Sequence, residues 1–289
     1  MQGWLVVNSF LHSPKFGELY KFFQDSANKL NIRLQVKTTD SLLCAVDDNF
    51  TEYDLPDFVI FWDKDIYLAQ RLGKAGIPLY NSAKSIELCD NKILTALALA
   101  NKVAMPATII APKTFDGVGY NNDAFIRRAT EVLGFPVIVK EAYGSFGQQV
   151  YLARTLDEVK KIIKKINYKD CLFQQYIAQS SGRDIRINVV GGKVVAAMLR
   201  YNDNDFRSNI TNGGKMQAVT PTKEQAEIAI RACRILGLDF AGVDVLFGKD
   251  GKPYVCEVNS NVHFKSTYGC TGIDMSELIL RYIVEDLKK

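Results

Sequence analysis

Apolar and polar positions alternate between strand and helix periods along the first 80 residues. Short apolar runs at 4–7, 32–36 and 58–61 predict strands, and residues 16–30 carry apolar side chains at helical spacing. Strands that alternate with helices are typical of a parallel sheet with helices packed against it. Residues 1–81 are therefore predicted to form a small N-terminal βαβ domain.

The same alternation continues through residues 82–178. A long helix is predicted from a cap at Ser82 or Ser85 through Leu99, and strands and helices then alternate between 108 and 177. A glycine-containing loop at 143–148 separates two of these strands. This segment is predicted to be a central α/β subdomain with short connections.

Residues 179–289 contain two hairpin patterns. The first hairpin is predicted to turn at 191–192 and the second at 250–251, because a Gly-Gly and an Asp-Gly pair there separate apolar runs. Helical patterns cover 223–236 and 273–287. The last third of the chain is therefore predicted to be an α+β subdomain.

The second hairpin predicts a cluster of oxygen ligands. If the Asp-Gly pair forms the turn, the two strands pair so that Asp244 lies opposite Glu257. Side chains alternate along a strand, so Asn259 shares their face, and two carboxylates with an amide oxygen suit Mg²⁺ held against a nucleotide. Two solvated surface acids are the alternative. The valines of both strands argue against it, because they indicate a buried sheet in which carboxylates need a partner.

Composition excludes several classes of protein. The chain has 289 residues, is 47% hydrophobic and carries a net charge of only +4. It can therefore fill two or three modest cores, but its charge does not indicate nucleic-acid binding.

No apolar run could span a membrane and no signal peptide is evident, so a cytoplasmic protein is expected. The cysteines lack CxxC spacing and are expected to be reduced core residues: Cys44, Cys89, Cys171, Cys233, Cys256 and Cys270.

The glycine loop follows a strand that ends in a lysine. Lys140 closes an apolar run, and Gly144 and Gly147 let the next loop approach an anion with its backbone N–H groups. The loop matches neither the GxxxxGK[ST] pattern nor GxGxxG. By itself it is weak evidence for a phosphate site.

Several motifs occur together in one order along the chain. They lie at 81–82, 90–92, 136–140 with 144–147, 174–177, 182–186, 205–209, 213–214, 241–244 and 257–259. With these motifs the chain resembles ATP-grasp carboxylate-amine ligases of the RimK type, the alpha-L-glutamate ligase group, over about residues 57–288. The resemblance implies an ATP-grasp fold of three parts: an N-terminal βαβ domain, a central lid subdomain and a C-terminal α+β subdomain.

The resemblance also implies roles for individual residues. Lys92 and Lys140 would contact ATP phosphates, under a lid formed by the glycine loop. The implied nucleotide-binding residues are Lys92, Lys140, Gly144, Ser145, Gly147, Gln175, Tyr176, Asp184, Arg207 and Ser208. The implied catalytic residues are Arg207 and Asn209, and the implied ligands of one or two Mg²⁺ ions, which Mn²⁺ could replace, are Asp244, Glu257 and Asn259.

The sequence departs from the family pattern at two places in the implied site. Gln175 stands where a glutamate is common at the adenine hinge, and residues 260–264 replace the usual Ala-Ser-Pro-Gly after the metal strand. The second change leaves the substrate open. The role of His263, as a surface or substrate-binding residue, is also open, as is the choice between ion pairing and carboxylate binding for Arg186 and Arg200.

The implied reaction joins a carboxylate to an amine. ATP would phosphorylate the carboxylate, and the amine would then attack the acyl phosphate, with position and electrostatics supplied by the protein. The expected partners are ATP, an amino acid such as glutamate, and an acceptor that is either a small carboxylate or a peptide C-terminus. A peptide-modifying or dipeptide-forming ligase and a non-catalytic ATP sensor are the alternatives. The oligomeric state, monomer or homo-oligomer, is open.

Overall fold

The computed structural model describes residues 1–12, 14–43, 45–48, 50, 53–210 and 213–289. Within these ranges the chain forms three sheets, one in each of the three predicted segments. The segment boundaries at 81 and 178 stay predictions. Cys44 lies outside the described residues, and the other five cysteines are free.

The first sheet has four parallel strands in the order β2-β1-β3-β4. Its elements are β1 (Gln2–Val7), α1 (Pro14–Lys29), β2 (Arg33–Thr38), β3 (Phe58–Phe61), α2 (Ile66–Lys74) and β4 (Leu79–Tyr80). The parallel pairing confirms the predicted βαβ arrangement.

Two short helices replace the long helix predicted after Ser82. They are α3 (Ala83–Asp90) and α4 (Lys92–Leu99), and the prediction of one helix is wrong. Asn91 is the cause, because its backbone is extended and its side-chain oxygen accepts hydrogen bonds from the N–H groups of Ile93 and Leu94. The cap starts a new helix and places Lys92 at its first position.

The second sheet has four antiparallel strands in the order β5-β8-β6-β7. Its elements are β5 (Thr108–Ile110), α5 (Ala124–Leu133), β6 (Val137–Glu141), β7 (Val150–Ala153), α6 (Leu156–Ile166) and β8 (Cys171–Gln175). Both helices pack on one face of this sheet, and the glycine loop connects β6 to β7.

The third sheet has five antiparallel strands in the order β11-β10-β9-β12-β13. Its elements are β9 (Arg183–Val190), β10 (Lys193–Tyr201), β11 (Lys215–Ala218), α7 (Lys223–Leu236), β12 (Phe240–Phe247), β13 (Pro253–Asn259), α8 (Lys265–Thr271) and α9 (Met275–Asp286). The sequence did not predict β11 or α8. A capping box starts α7, in which Thr222 and Gln225 bond each other's backbone N–H groups.

Two of the cores cross the predicted boundaries. Leu99 and Cys89, from the segment assigned to the central subdomain, pack with α7 against the third sheet. Ile279 and Ile283 of α9 pack with Phe23 of α1 in the core of the first domain. These helices therefore tie the first and third sheets together, whereas the second sheet packs with α5 and α6 in a core of its own.

Candidate active site

Two neighbouring cavities lie beside the second hairpin. The smaller one, of about 100 Å³, lies between the second and third sheets and contains Lys140, Gln175 and Tyr176 in its wall. The larger one, of about 610 Å³, extends toward the first domain and the chain after β13. Arg200, Asn209 and Glu257 line both cavities, so the two spaces meet at these residues.

The second hairpin has the predicted pairing at its acidic residues. Asp244 lies opposite Glu257, and Asn259 pairs with Gly242 two positions away. The turn itself differs from the prediction, because residues 248–252 form the loop around a 3-10 turn and Cys256 is an extra residue that makes a β-bulge. The longer loop shifts the pairing by one residue and the bulge shifts it back.

Asp244 lies in a buried network of charges. Arg186 donates to both of its oxygens, at 2.7 Å from Nη2 to Oδ2, and Arg200 lies 2.9 Å from Oδ2. Burial alone would raise the pKa of Asp244, but the two guanidinium groups outweigh burial and hold that pKa below its usual range. Asp244 is therefore ionised and compensated by side chains.

Asp184 belongs to the same network. Arg200 donates to both Asp184 oxygens, at 2.7 and 2.6 Å, and the Ser208 hydroxyl donates to Oδ2 at 2.6 Å. The two carboxylates raise the pKa of Arg200 against the effect of burial. The implied role of Asp184 in binding the nucleotide stays a prediction, and the structure shows its carboxylate bonded to Arg200 and Ser208.

Glu257 and Asn259 form the other half of the predicted metal site. No hydrogen bond or ion pair joins Glu257 to any residue that the structure describes, and Asn259 Nδ2 is buried without a partner. The Glu257 carboxylate and the Asn259 Oδ1 are oxygen ligands of the kind that a divalent ion prefers, whereas the Asn259 Nδ2 group is a donor that would need an acceptor such as a phosphate oxygen. The described residues contain no group of three or more His, Cys, Asp or Glu that could hold a metal, so such a site depends on Asn259.

Two lysines, one buried and one half-buried, lie on the nucleotide side. Lys140 is 6% exposed, and its ammonium contacts the Cys256 sulfur at 3.6 Å. Lys92 donates to the Gly144 carbonyl at 3.0 Å, and burial lowers its pKa against the opposing effect of Glu257. Neither lysine forms an ion pair with a carboxylate of the described residues, so both are available to an anion.

The glycine loop is held over the smaller cavity by cations. Arg207 donates to the Gly147 carbonyl at 2.7 Å, and Lys64 lies 3.4 Å from the Ser145 hydroxyl. Gly147 has a φ of +72°, and a Cβ there would lie 2.7 Å from the Asn209 side chain. A cavity of about 100 Å³ is too small for ATP, so the loop must move to admit it.

Every predicted site residue except Lys92 lines one of the two cavities, and Lys92 lies beside them, where it donates to the Gly144 carbonyl. Arg186 and Arg200, which the sequence left open between two roles, form ion pairs. Lys64 and Cys256 were not predicted. No sequence signal marked Cys256, and Lys64 could have been noticed only as a polar residue that follows an apolar strand.

Comparison with known proteins identifies the family. A model of the RimK-like ATP-grasp domain matches residues 89–283, which is most of the chain. The chain belongs to the RimK-like ATP-grasp family. As an ATP-grasp ligase it is an enzyme that uses ATP and a divalent metal ion.

Relatives of this ATP-grasp ligase differ in length. An uncharacterized Mycoplasma pneumoniae protein is 34% identical over 84% of this chain and 85% of its own length. Human N-acetylaspartylglutamate synthase A and human beta-citrylglutamate synthase B are each 36% identical over 76% of this chain, and the match covers 56% of each synthase. The chain thus aligns with little more than half of those two synthases.

Solved structures share the fold of this ATP-grasp ligase. A RimK-domain ATP-grasp protein from Sphaerobacter thermophilus superposes with a TM-score of 0.75 at 18% identity, covering 98% of this chain and 99% of that one. D-alanine–D-alanine ligase from Bacillus anthracis, complexed with ATP, gives a TM-score of 0.74 at 19% identity, covering 100% and 97%. Among the described residues, no helix is long and apolar enough to cross a membrane.

Proposed function

We propose that this ATP-grasp ligase forms an amide bond between the amine of glutamate and a carboxylate acceptor, with release of ADP. The observation that carries the proposal is the meeting of the two cavities at Arg200, Asn209 and Glu257. A nucleotide on one side and a carboxylate on the other would come together there. The names of the two human synthases, whose products end in glutamate, support glutamate as the amine donor.

The smaller cavity supplies the groups that ATP needs. Lys140 is a buried ammonium group in its lining, and half-buried Lys92 lies at the glycine loop, where it donates to the Gly144 carbonyl. Neither pairs with a carboxylate of the described residues, and both would bind phosphate oxygens. Gln175 and Tyr176 line the opposite end, where they would contact the adenine. Arg207 holds the glycine loop through the Gly147 carbonyl and would turn its guanidinium to the phosphate that is transferred.

The residues between the cavities would position the reacting groups. A divalent ion bound by Glu257 and Asn259, with Asp244 as a third ligand once its arginines release an oxygen, would neutralise charge on the transferred phosphate. Asn209 would orient the acceptor carboxylate so that its oxygen attacks the γ-phosphorus of ATP, and ADP leaves. The closed glycine loop would then exclude water from the acyl phosphate until the amine attacks and phosphate leaves.

A sensor without catalytic activity is less consistent with these contacts. A sensor needs to bind the nucleotide, but it has no need of a partnerless carboxylate between nucleotide and a second cavity. Glu257 occupies that position. A peptide acceptor or a dipeptide product keeps the same chemistry and is separated from a small acceptor only by experiment.

The test is an ADP-release assay with product analysis by mass spectrometry. The protein would be incubated with ATP, Mg²⁺ or Mn²⁺, glutamate and one acceptor at a time: citrate, N-acetylaspartate, single amino acids or a peptide. We expect ADP release that requires both glutamate and an acceptor, with a product whose mass equals their sum less one water. ADP release that needs neither substrate, or no release with the whole panel, would contradict the proposal.

A further inference from the structure

Two parts of the chain contribute to the wall of the larger cavity. Phe16 of α1 and Lys64 after β3 come from the first domain, whereas His263 and Lys265 follow β13. The rings of Phe16 and His263 meet edge to face at 6.3 Å between centroids, and Lys265 pairs with Glu18 of α1. The volume of about 610 Å³ is in the range of small-molecule sites.

The charged residues of this cavity are mainly basic. Its lining contains the cations Lys64, Arg186, Arg200 and Lys265, against the two carboxylates of Asp90 and Glu257. The two arginines already donate hydrogen bonds to Asp184 and Asp244. A ligand could bind these arginines only by breaking those ion pairs. The two lysines remain as cations that a ligand can reach.

Both lysines have partners that a ligand can replace. Lys64 pairs with Asp90, Lys265 pairs with Glu18, and the lysine side chains are 45% and 51% exposed. Ion pairs at such exposure contribute little to folding because water competes for both charges. Exchanging the protein carboxylate for a ligand carboxylate therefore costs little.

We propose that Lys64 and Lys265 bind a carboxylate of the substrate that does not react. This inference rests on the proposed function and extends it. If the acceptor binds there, it is a molecule with two or more carboxylates: one would lie beside Glu257 and Asn209 to react, and another would bind Lys64 and Lys265. If glutamate binds there, its amine reacts and either of its carboxylates would bind the two lysines. The acceptor and glutamate share this chemistry, and the experiment distinguishes between them.

The first experiment measures kinetics of single-lysine variants. Lys64→Met and Lys265→Met remove one charge each, Lys64→Arg restores it, and Lys223→Met, at an exposed pair on α7, is the matched control. We expect KM for one substrate to rise about tenfold or more in each Met variant, since a hydrogen bond to a charged group is lost. KM for ATP should change less than twofold in Lys265→Met, because Lys265 pairs with Glu18 rather than with the glycine loop, and Lys64→Arg should recover most of the loss.

The substrate whose KM rises identifies the bound molecule. A rise for N-acetylaspartate or citrate assigns the wall to the acceptor, and a rise for glutamate assigns it to the amine donor. N-acetylasparagine, in which an amide replaces one carboxylate of N-acetylaspartate, should be insensitive to the Met variants in the first case. In the second case glutamine shows which carboxylate of glutamate binds: it should be insensitive to the Met variants if the side-chain carboxylate is bound, and as sensitive as glutamate if the α-carboxylate is bound. Equal KM values for all substrates in all variants would overturn the inference.

Calorimetry keeps the inference testable if the ligase activity itself fails. If the parent forms no amide with any acceptor, the proposed function is wrong, and citrate and glutamate are then titrated into each variant with ADP and Mg²⁺ present. Weaker binding of either probe in both Met variants, with the Lys223→Met control unchanged, would still support the lysine site. Binding of both probes that is equal in all variants, or absent from the parent, would overturn it.

Discussion

Asp244 and Glu257 face each other across one pair of strands, yet their surroundings are opposite. Asp244 accepts hydrogen bonds from Arg186 and Arg200, and its charge is compensated by protein groups. Glu257 has no such partner within the described residues. Sequence alone treats the two acids as equivalent members of one metal site.

The two carboxylates therefore have different roles, one in folding and one in ligand binding. A carboxylate held by two buried arginines contributes to folding, because removing it would leave uncompensated charge. A carboxylate without a partner contributes little to folding and remains free to bind a ligand cation. Lys140 is the corresponding cation, since it is buried and contacts a thiol. Groups left without partners therefore mark the functional part of this network.

Glu257→Gln should have the largest effect on activity. The change keeps the shape of the side chain and removes one charge, so we expect kcat to fall by about 10² or more while the folded protein keeps its stability. Steady-state ADP release at saturating Mg²⁺ and urea denaturation measure the two quantities. Glu227→Gln on the exposed face of α7 is the control. Turnover within about threefold of the parent would remove Glu257 from the metal site.

Asp244→Asn should affect stability more than Glu257→Gln does. It leaves Arg186 and Arg200 with a single carboxylate, Asp184, so we expect unfolding to become easier by about 3 kcal/mol. Urea denaturation of the two variants side by side measures this difference. Equal midpoints for Asp244→Asn and Glu257→Gln would show that the arginine network does not hold Asp244 for folding.

Lys140→Met and Arg207→Ala should separate nucleotide binding from rate. Lys140 is buried where phosphate would bind, so its loss should weaken affinity for a non-hydrolysable ATP analogue in calorimetry. Arg207 is half-buried and already bonded to the glycine loop, so its loss should lower kcat by about 10² with a smaller change in affinity. An equal loss of affinity for the ATP analogue in both variants would contradict the assignment of binding to Lys140 and of rate to Arg207.

Asp239→Asn should stabilise the protein at neutral pH. Burial raises the pKa of Asp239 to about 6, although the Tyr282 hydroxyl donates to it at 3.0 Å. Because the folded pKa exceeds the unfolded value, stability falls as pH rises through that range, and the ionised carboxylate destabilises the fold above about pH 6.

Asparagine at position 239 removes that cost while it can still accept from Tyr282. We expect a gain of about 2 kcal/mol at pH 8 that disappears below about pH 4, measured by urea denaturation at both values. An equal gain at the two pH values would mean that ionisation of Asp239 is not the cause. Asp239 thus differs from Asp244: no arginine offsets the effect of burial, so its pKa is raised rather than lowered.

The sequence predicted the first sheet and most helices because their apolar periods are simple. Phe58–Phe61 and Lys223–Leu236 match the structure at both ends. The break at Asn91 was not predicted, because the apolar period runs through it and only the side-chain cap separates the helices. Strand β11 is exposed along its length and carries no apolar alternation to predict it.

The candidate site depends on register, which two bulges alter. The pairing of Asp244 with Glu257 was predicted correctly only because the longer loop and the bulge at Cys256 compensate each other. In the first hairpin a two-residue turn would place Asp184 opposite Leu199, but an extra residue at Val195 places it opposite Arg200. A bulge is set by packing against neighbouring strands, so the sequence of one hairpin does not reveal it.

The packing of α9 on α1 has a consequence for how the chain folds during synthesis. Met275, Ile279 and Ile283 complete the core of a domain whose strands all lie before residue 81. On the ribosome, the first domain therefore emerges about two hundred residues ahead of the helix that covers it. Its apolar face therefore stays uncovered until α9 has been synthesised and can pack against it.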